Sequence, residues 1–241
     1  MLHIIYRLSD SGYAKEKPDY INNEKCLKNA LKAFPPNEHK WLIIADNTSD
    51  ETYDMLLKYV QMDSVLFVQM GSGAQTFNIA LDKALKLEDE DIVYFIENDY
   101  IWIPGAGEIA EKALDNGADY FTSYIHPDKY LFPNGNPEVD EDGGYLNKMF
   151  LLDGDLFFTT NSTTMTFAAK VKTLKEDETI IRYHTAGTYP NDYKMFLNLR
   201  DVNRVLLCSV NPYSSHGESL WLAPLPGVKK ENLIEEWGKF I

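Results

Sequence analysis

Three polar residues, Glu97, Asn98 and Asp99, directly follow a short apolar segment at 92–96. The β-branched and aromatic residues of that segment predict a strand buried on both faces, as in the middle of a parallel sheet. Open α/β sheets bind their ligands at the carboxyl ends of such strands. Carboxylate oxygens there could hold a hard divalent cation, which in turn could hold a diphosphate. The alternative is that Glu97 to Asp99 form an ordinary polar turn.

The first hundred residues alternate strands with helices four times. Strands are predicted at 2–6, 41–45, 65–69 and 92–96, and the intervening helices at 23–34, 51–59 and from Gly73 through Leu87. This alternation predicts a parallel sheet with right-handed crossovers. The carboxyl ends of these strands should therefore meet at one edge.

Polar or glycine residues recur at the end of every one of these strands. They are Arg7 and Ser9, Asp46, Gly71 and Gly73, and Glu97 and Asp99. A lone Gly-x-Gly before a helix is weak evidence for phosphate binding. Four such strand ends on one edge of a sheet predict a nucleotide pocket.

The second half of the chain has a looser pattern. A long loop is expected at 126–144, where Pro, Gly, Asn and acidic residues are frequent. The other predicted elements are helices at 108–114, 168–174, 176–184, 192–200 and 231–240, and strands at 119–125, 156–158, 163–167 and 205–210, with a polar loop at 211–218.

Composition limits the classes of partner. The chain has 241 residues, 44% of them hydrophobic, which is enough for one large α/β domain with a proper core. Its formal net charge of -14 argues against nucleic acid as a partner. The same charge implies that a diphosphate ligand would need a metal ion.

The two cysteines, Cys26 and Cys208, form no disulfide framework, which favours a reducing compartment. No signal peptide and no membrane-spanning segment is visible, so a cytoplasmic location is expected. The amphipathic tail at 231–240 is expected to pack on the domain, with peripheral membrane contact as the alternative.

With these landmarks in order, the sequence resembles the GT-A-fold glycosyltransferases, closest in style to family 2. Asp46 matches the acid that reads the nucleotide base, and 71–78 resembles the family's glycine-containing turn and helix. Glu97 to Asp99 stand where the family has Asp-x-Asp, with Glu in the first position.

The resemblance implies a single GT-A domain over 1–241. Its mostly parallel central sheet would be flanked by helices, with a nucleotide-sugar half at 1–104 and an acceptor half, including a small subdomain and the C-terminal helix, at 105–241.

The resemblance also implies roles for individual residues. Asp99 would be the main ligand of Mn²⁺ or Mg²⁺, His216 a second ligand and Glu97 a third, and a histidine ligand favours Mn²⁺. Asp192, at a predicted helix start, would be the base that deprotonates the acceptor hydroxyl. Helix capping is the alternative role for Asp192, and Asp153 and Asp155 are the rival bases. From their own chemistry, Arg7 and Ser9 are expected to contact the base, ribose or phosphate, with pairing to a structural carboxylate as the alternative for Arg7. Asn98 is also expected to contact the nucleotide. Trp102, Tyr124 and Tyr130 could stack on sugar rings, and burial in the core is the alternative for these aromatics.

The expected function is therefore metal-dependent, inverting transfer of a sugar from a nucleotide-diphosphate sugar to a hydroxyl of a carbohydrate or glycolipid acceptor. A sugar nucleotidyltransferase is one alternative. Such enzymes usually have a glycine-rich basic loop after the first strand, where this chain has Arg7-Leu8-Ser9-Asp10. A non-catalytic carbohydrate-binding protein with the same fold is the other alternative.

Overall fold

The computed structural model describes residues 1–10, 15–130, 136–140 and 144–241. Residues 11–14, and residues 131–135 and 141–143 of the predicted loop at 126–144, lie outside the described residues. The strands are β1 (Leu2–Ser9), β2 (Lys40–Asp46), β3 (Val65–Val68), β4 (Ile92–Glu97), β5 (Tyr100–Trp102), β6 (Tyr120–Thr122), β7 (Met149–Leu152), β8 (Asp155–Thr159), β9 (Phe167–Lys170), β10 (Leu206–Ser209) and β11 (Ser214–His216). The helices are α1 (Asn23–Ala33), α2 (Asp50–Tyr59), α3 (Gly73–Ala84), α4 (Ala106–Asp115), α5 (Val171–His184), α6 (Asp192–Asp201) and α7 (Leu233–Gly238).

Most described strands form one mixed sheet in the order β3-β2-β1-β4-β9-β6-β10-β8-β7. β1 pairs in parallel with β2 and β4, and β2 pairs in parallel with β3. The predicted parallel sheet is therefore confirmed. Its carboxyl edge aligns the polar residues as expected, because Ser9 pairs with Asp46 and Arg7 pairs with Glu97.

Helices cover both faces of this sheet. Alternate residues of β1 point to opposite sides: Ile4 and Tyr6 pack in a core with α1 and α4, and Ile5 packs in a second core with α3, α5 and α6. Side chains cap the N-termini of α1, α2, α3 and α6; Ser49, for example, caps α2 by accepting from Thr52 N. This three-layer arrangement fixes the strand ends that form the cleft described below.

The predicted helix at 168–174 is wrong at its start. Residues 167–170 form β9, which lies antiparallel between β4 and β6, and α5 begins only at Val171. Ala168 and Ala169 are fully buried against neighbouring strands. Pairing on both edges of β9 outweighs the helical preference of alanine, because tertiary contacts override local propensity. The predicted strand at 163–167 is correspondingly a loop as far as Thr166.

The polar loop predicted at 211–218 contains a buried strand. β11 pairs antiparallel with β5, with His216 opposite Tyr100. Its serines are fully buried, and each has a hydrogen-bond partner: Ser214 Oγ lies 2.8 Å from Ser123 Oγ, and Ser215 Oγ accepts from Ala223 N at 2.9 Å. These internal bonds allow a polar sequence to run through the core.

Trp102 and Tyr124 do not face a ligand site, which corrects the expected sugar stacking. Both are buried, and Trp102 packs edge-on against Phe34 at 5.0 Å between ring centroids.

The C-terminal helix packs on the domain as expected, with Trp237 Nε1 donating to Ala223 O at 2.8 Å. Within the described ranges, the helices are all too short or too polar to cross a bilayer.

Candidate functional site

A cleft of about 850 Å³ opens at the carboxyl edge of the parallel strands. This volume is in the usual range for a small-molecule site. All ten predicted site residues line it: Arg7, Ser9, Asp46, Gly71, Gly73, Glu97, Asn98, Asp99, Asp192 and His216. The cleft thus gathers residues from distant parts of the chain, which lie at the ends of strands, at the start of α6 and in β11.

Asp46 holds the turn between β3 and α3. Its Oδ1 accepts from Met70 N at 2.6 Å and its Oδ2 accepts from Gly71 N at 2.9 Å. Gly71 has a left-handed φ of 60°, which favours glycine. Asp46 therefore shapes the cleft wall at the position expected to face a nucleotide base.

Arg7 and Glu97 form a pair at the base of the cleft. One guanidinium nitrogen donates to Glu97 Oε1 at 2.7 Å and the other to Gly73 O at 3.1 Å. The guanidinium also lies 5.4 Å from the ring centroid of Phe77. Burial raises the pKa of Glu97, Arg7 opposes this effect, and the nearby Asp99 adds to it. Glu97 thus faces Arg7, which ties β1, β4 and the start of α3 together.

Asn98 joins the end of β1 to α1. Its amide nitrogen donates to Ser9 O at 3.2 Å and to Asn23 Oδ1 at 2.6 Å. Its backbone N–H donates to Arg7 O at 3.0 Å. These bonds fix the turn that carries Asp99 into the cleft.

Asp99 and His216 lie side by side. The distance from Asp99 Oδ2 to His216 Nε2 is 3.3 Å, and Glu218 Oε2 lies 3.7 Å from the other ring nitrogen of His216. Burial acts to raise the pKa of Asp99, but His216 and then Lys17 hold that pKa well below its usual range. Asp99 is therefore ionised at any physiological pH.

The close approach of β11 to Asp99 depends on Gly217. Gly217 N donates to Asp99 O at 2.6 Å. A Cβ atom at this glycine would lie 2.7 Å from that same carbonyl oxygen and 2.8 Å from Ile21 Cδ1. No side chain fits there without moving the backbone, so glycine sets the separation of Asp99 and His216.

The Asp99–His216 pair has the spacing of two neighbouring ligands on one cation. With metal–ligand bonds of about 2.1 Å, adjacent ligands on an octahedral ion lie about 3 Å apart. In the part of the chain that the structure describes, no group of three or more His, Cys, Asp or Glu side chains is arranged for metal binding. A cation here would thus complete its shell with water and ligand oxygens, as Mg²⁺ commonly does in phosphate-binding sites.

Asp192 lies in the cleft at the first turn of α6, but Asn191 caps the helix by accepting from Lys194 N at 3.3 Å. Asp192 instead binds the loop before β9. Its Oδ1 accepts from Thr163 Oγ1 at 2.6 Å and from Met165 N at 3.2 Å, and its Oδ2 accepts from the backbone amides of Thr163 and Thr164. Thr164 and Met165 both have left-handed φ angles. The carboxylate therefore has a fixed orientation in the cleft.

The rival bases Asp153 and Asp155 do not line the cleft. They lie in and after the β7–β8 turn, where Asp155 pairs with Lys112 and Asp153 Oδ2 accepts from Asn116 at 2.9 Å. Asp192 is thus the candidate base that the structure brings into the same cleft as Asp99 and His216.

Sequence reasoning assigned no role to two cleft lysines, Lys15 and Lys17. Lys17 Nζ lies 3.0 Å from Asp99 Oδ2, and Lys15 Nζ lies 3.3 Å from Glu218 Oε2. Two features of the sequence could have identified them: both lysines lie shortly after the first strand, and basic residues are a minority in this strongly acidic chain.

Comparison with known proteins agrees with this geometry. The profile described as "Glycosyl transferase family 2" matches residues 20–174, which is more than half of the chain. The chain belongs to glycosyl transferase family 2. The family match includes Asp46 and Glu97 to Asp99, whereas Arg7, Asp192 and His216 lie outside it.

Solved structures confirm the GT-A fold of this family 2 chain. S. aureus TarS 1–349 superposes with a TM-score of 0.55 at 18% identity, covering 90% of this chain and 60% of that one. TarS 1–349 in complex with UDP-GlcNAc gives 0.53 at 17% identity, covering 88% and 57%. GalNAc-T7 with UDP, GalNAc and Mn²⁺ gives 0.55 at 12% identity, covering 89% and 42%. The chain thus spans less than two thirds of each of these proteins. No curated protein matches it significantly.

Proposed function

We propose that this chain catalyses metal-dependent, inverting transfer of a sugar from a nucleotide-diphosphate sugar to a hydroxyl group. The observation that supports this most is that Asp99, His216 and Asp192 line one cleft at the end of a parallel sheet. One part of the cleft has an Asp–His pair that could hold a cation, and another has an oriented carboxylate. The proposed metal-dependent, inverting route would use both.

Donor binding is proposed at the strand ends. Asp46 would read the base from the turn that it holds, and Gly71 and Gly73 would let the donor approach the backbone before α3. Arg7, Ser9 and Asn98 would shape the floor on which the donor lies. TarS with UDP-GlcNAc and GalNAc-T7 with UDP and GalNAc are similar in fold, which makes a UDP-sugar the first donor to test.

Asp99 and His216 are the proposed protein ligands of Mn²⁺ or Mg²⁺. Glu218, facing the second ring nitrogen of His216, would orient the ring. When bound, the cation would act as a Lewis acid that offsets negative charge on the departing diphosphate. Glu97 would have a structural role at this site, through its ion pair with Arg7.

Asp192 is the proposed base. The acceptor oxygen forms a bond to the anomeric carbon while the bond from that carbon to the diphosphate oxygen breaks, with its electron pair staying on the diphosphate. The acceptor proton passes to Asp192. Attack opposite the leaving group inverts the anomeric centre. General-base catalysis typically contributes about 10²–10⁴-fold.

The acceptor is proposed to be a carbohydrate or a glycolipid, and a glycolipid would require contact with a membrane surface. A cytoplasmic location is proposed because both cysteines are free and buried. Burial raises the pKa of Cys26 to about 12, which keeps this thiol unreactive.

Incubation with a panel of UDP-, GDP- and dTDP-sugars, with Mn²⁺ and with EDTA, tests the proposal. The expected result is donor hydrolysis or transfer that needs the metal, with inverted anomeric configuration by NMR. Nucleotide binding without turnover would favour the non-catalytic binding protein. Release of pyrophosphate from a nucleoside triphosphate and a sugar phosphate would favour the nucleotidyltransferase.

A further inference from the structure

Three basic side chains besides His216 occur among the described residues that line the cleft: Arg7, Lys15 and Lys17. Arg7 is bound to Glu97 and to the backbone of Gly73, so its charge is already matched. The two lysines belong to the segment that follows β1, and both lie near the proposed cation ligands. Their charges are the ones that could respond to a ligand.

Lys17 and His216 approach the same atom. Lys17 Nζ lies 3.0 Å from Asp99 Oδ2, and His216 Nε2 lies 3.3 Å from that oxygen. A divalent cation bound to this oxygen, at about 2.1 Å, would lie close to an ammonium group that is only 3.0 Å from the same atom. The two positive charges would repel one another at that range, so binding of the cation disfavours the present position of Lys17.

We propose that Lys17 is an internal placeholder for the divalent cation at Asp99, and that it moves onto the diphosphate when metal and donor bind. This inference rests on the proposed function. Without ligands, Lys17 pairs with the partly buried carboxylate of Asp99. With ligands, its ammonium group donates to a phosphate oxygen, as lysine does in many phosphate sites.

Charge balance supports this exchange. A sugar nucleotide carries one negative charge on each phosphate, so a divalent cation neutralises the diphosphate and leaves Asp99 to be balanced. Lys17, kept within the cleft, restores neutrality. When the bond to the sugar breaks, one more negative charge forms on the diphosphate, and a nearby ammonium group stabilises it.

Lys15 has a different position from Lys17. Its ammonium lies 3.3 Å from Glu218, whose carboxylate faces His216. Lys15 therefore approaches His216 only through Glu218, whereas Lys17 contacts Asp99 directly.

Titration calorimetry of the full chain with Mn²⁺ alone, and with UDP at saturating Mn²⁺, tests the role of Lys17. We expect Lys17→Ala to bind Mn²⁺ alone about tenfold more tightly and UDP with Mn²⁺ about tenfold more weakly than the wild type. The matched control is Lys175→Ala, which removes an exposed ion pair with Asp89 away from the cleft and should change neither affinity. Lys17→Met, which keeps the aliphatic stem, should behave as Lys17→Ala does and replaces it if that variant misfolds.

Opposite shifts of the two affinities support the placeholder role. If the lysine variants strengthen both affinities, weaken both, or change neither, the inference is wrong while the proposed function stands. If the wild-type chain binds neither Mn²⁺ nor UDP, the proposed function fails, and the inference fails with it.

Discussion

His216 Nε2 lies 3.3 Å from Asp99 Oδ2, although the two residues come from distant parts of the chain. β11 brings the histidine there by pairing with β5, directly after the turn that holds Asp99. This relationship places the proposed metal ligands at the end of a parallel strand. The proposed chemistry depends on it.

Replacing either residue of this pair should remove metal-dependent nucleotide binding. Asp99→Ala leaves no carboxylate for the cation and should abolish the difference between UDP binding with Mn²⁺ and with EDTA. His216→Ala should weaken Mn²⁺ binding by at least about 10–100-fold, the range found even for outer partners of metal ligands. Calorimetry measures both. Unchanged Mn²⁺ affinity in Asp99→Ala would show that Mn²⁺ binds elsewhere in the protein.

Gly217→Ala should disturb the same pair without touching its side chains. The new Cβ would meet Asp99 O at 2.7 Å, so β11 must shift away from Asp99. We therefore expect weaker Mn²⁺ binding by calorimetry and a lower melting temperature. Wild-type Mn²⁺ affinity in this variant would show that the spacing of Asp99 and His216 does not govern metal binding.

The control for this substitution is Gly154→Ala, in the β7–β8 turn away from the cleft. A Cβ at Gly154 would meet no atom of the described residues within 4 Å. The left-handed φ of 87° at Gly154 disfavours alanine, so this variant should also lose some stability. Its Mn²⁺ affinity should nevertheless equal that of the wild type, which separates a general loss of stability from a change at Asp99 and His216.

The strand ends that form the cleft were predictable because the sequence changes abruptly from apolar to polar at each one. β4 is buried along its length and ends at the less buried Glu97, and β1 ends in the same way at Ser9, whereas Asp46 is polar but still buried. The buried β11 was not predictable, since Ser214 and Ser215 are polar and their partners are remote in sequence. The fixed contacts of Lys17 and Gly217 were equally hidden, because they depend on how two distant loops pack.

Substitutions of Asp192 and Thr163 can distinguish a catalytic role of Asp192 from a role in holding the loop before β9. Asp192→Ala should reduce transfer by about 10²–10⁴-fold if Asp192 is the base, with UDP binding retained. Thr163→Val removes only the hydroxyl that donates to Asp192 at 2.6 Å and should reduce transfer far less. Steady-state kinetics and melting temperatures of both variants test this. Equal losses of activity and stability in the two would mean that Asp192 only holds the 163–165 loop.

Arg7 and Glu97 should contribute to stability as a pair. Arg7→Met leaves the Glu97 carboxylate without its 2.7 Å partner and should cost about 3 kcal/mol of unfolding free energy. Arg7→Met combined with Glu97→Gln should recover part of that loss, because the unpaired charge is gone. Urea unfolding of the single and double variants measures the coupling. Strictly additive losses would show that the two side chains act independently.

The most direct test of the central claim is calorimetric titration of UDP into the wild-type chain, once with Mn²⁺ and once with EDTA. A cation held by Asp99 and His216 and shared with the diphosphate predicts binding with Mn²⁺ and at least about tenfold weaker binding with EDTA. Equal affinity under both conditions would contradict the account.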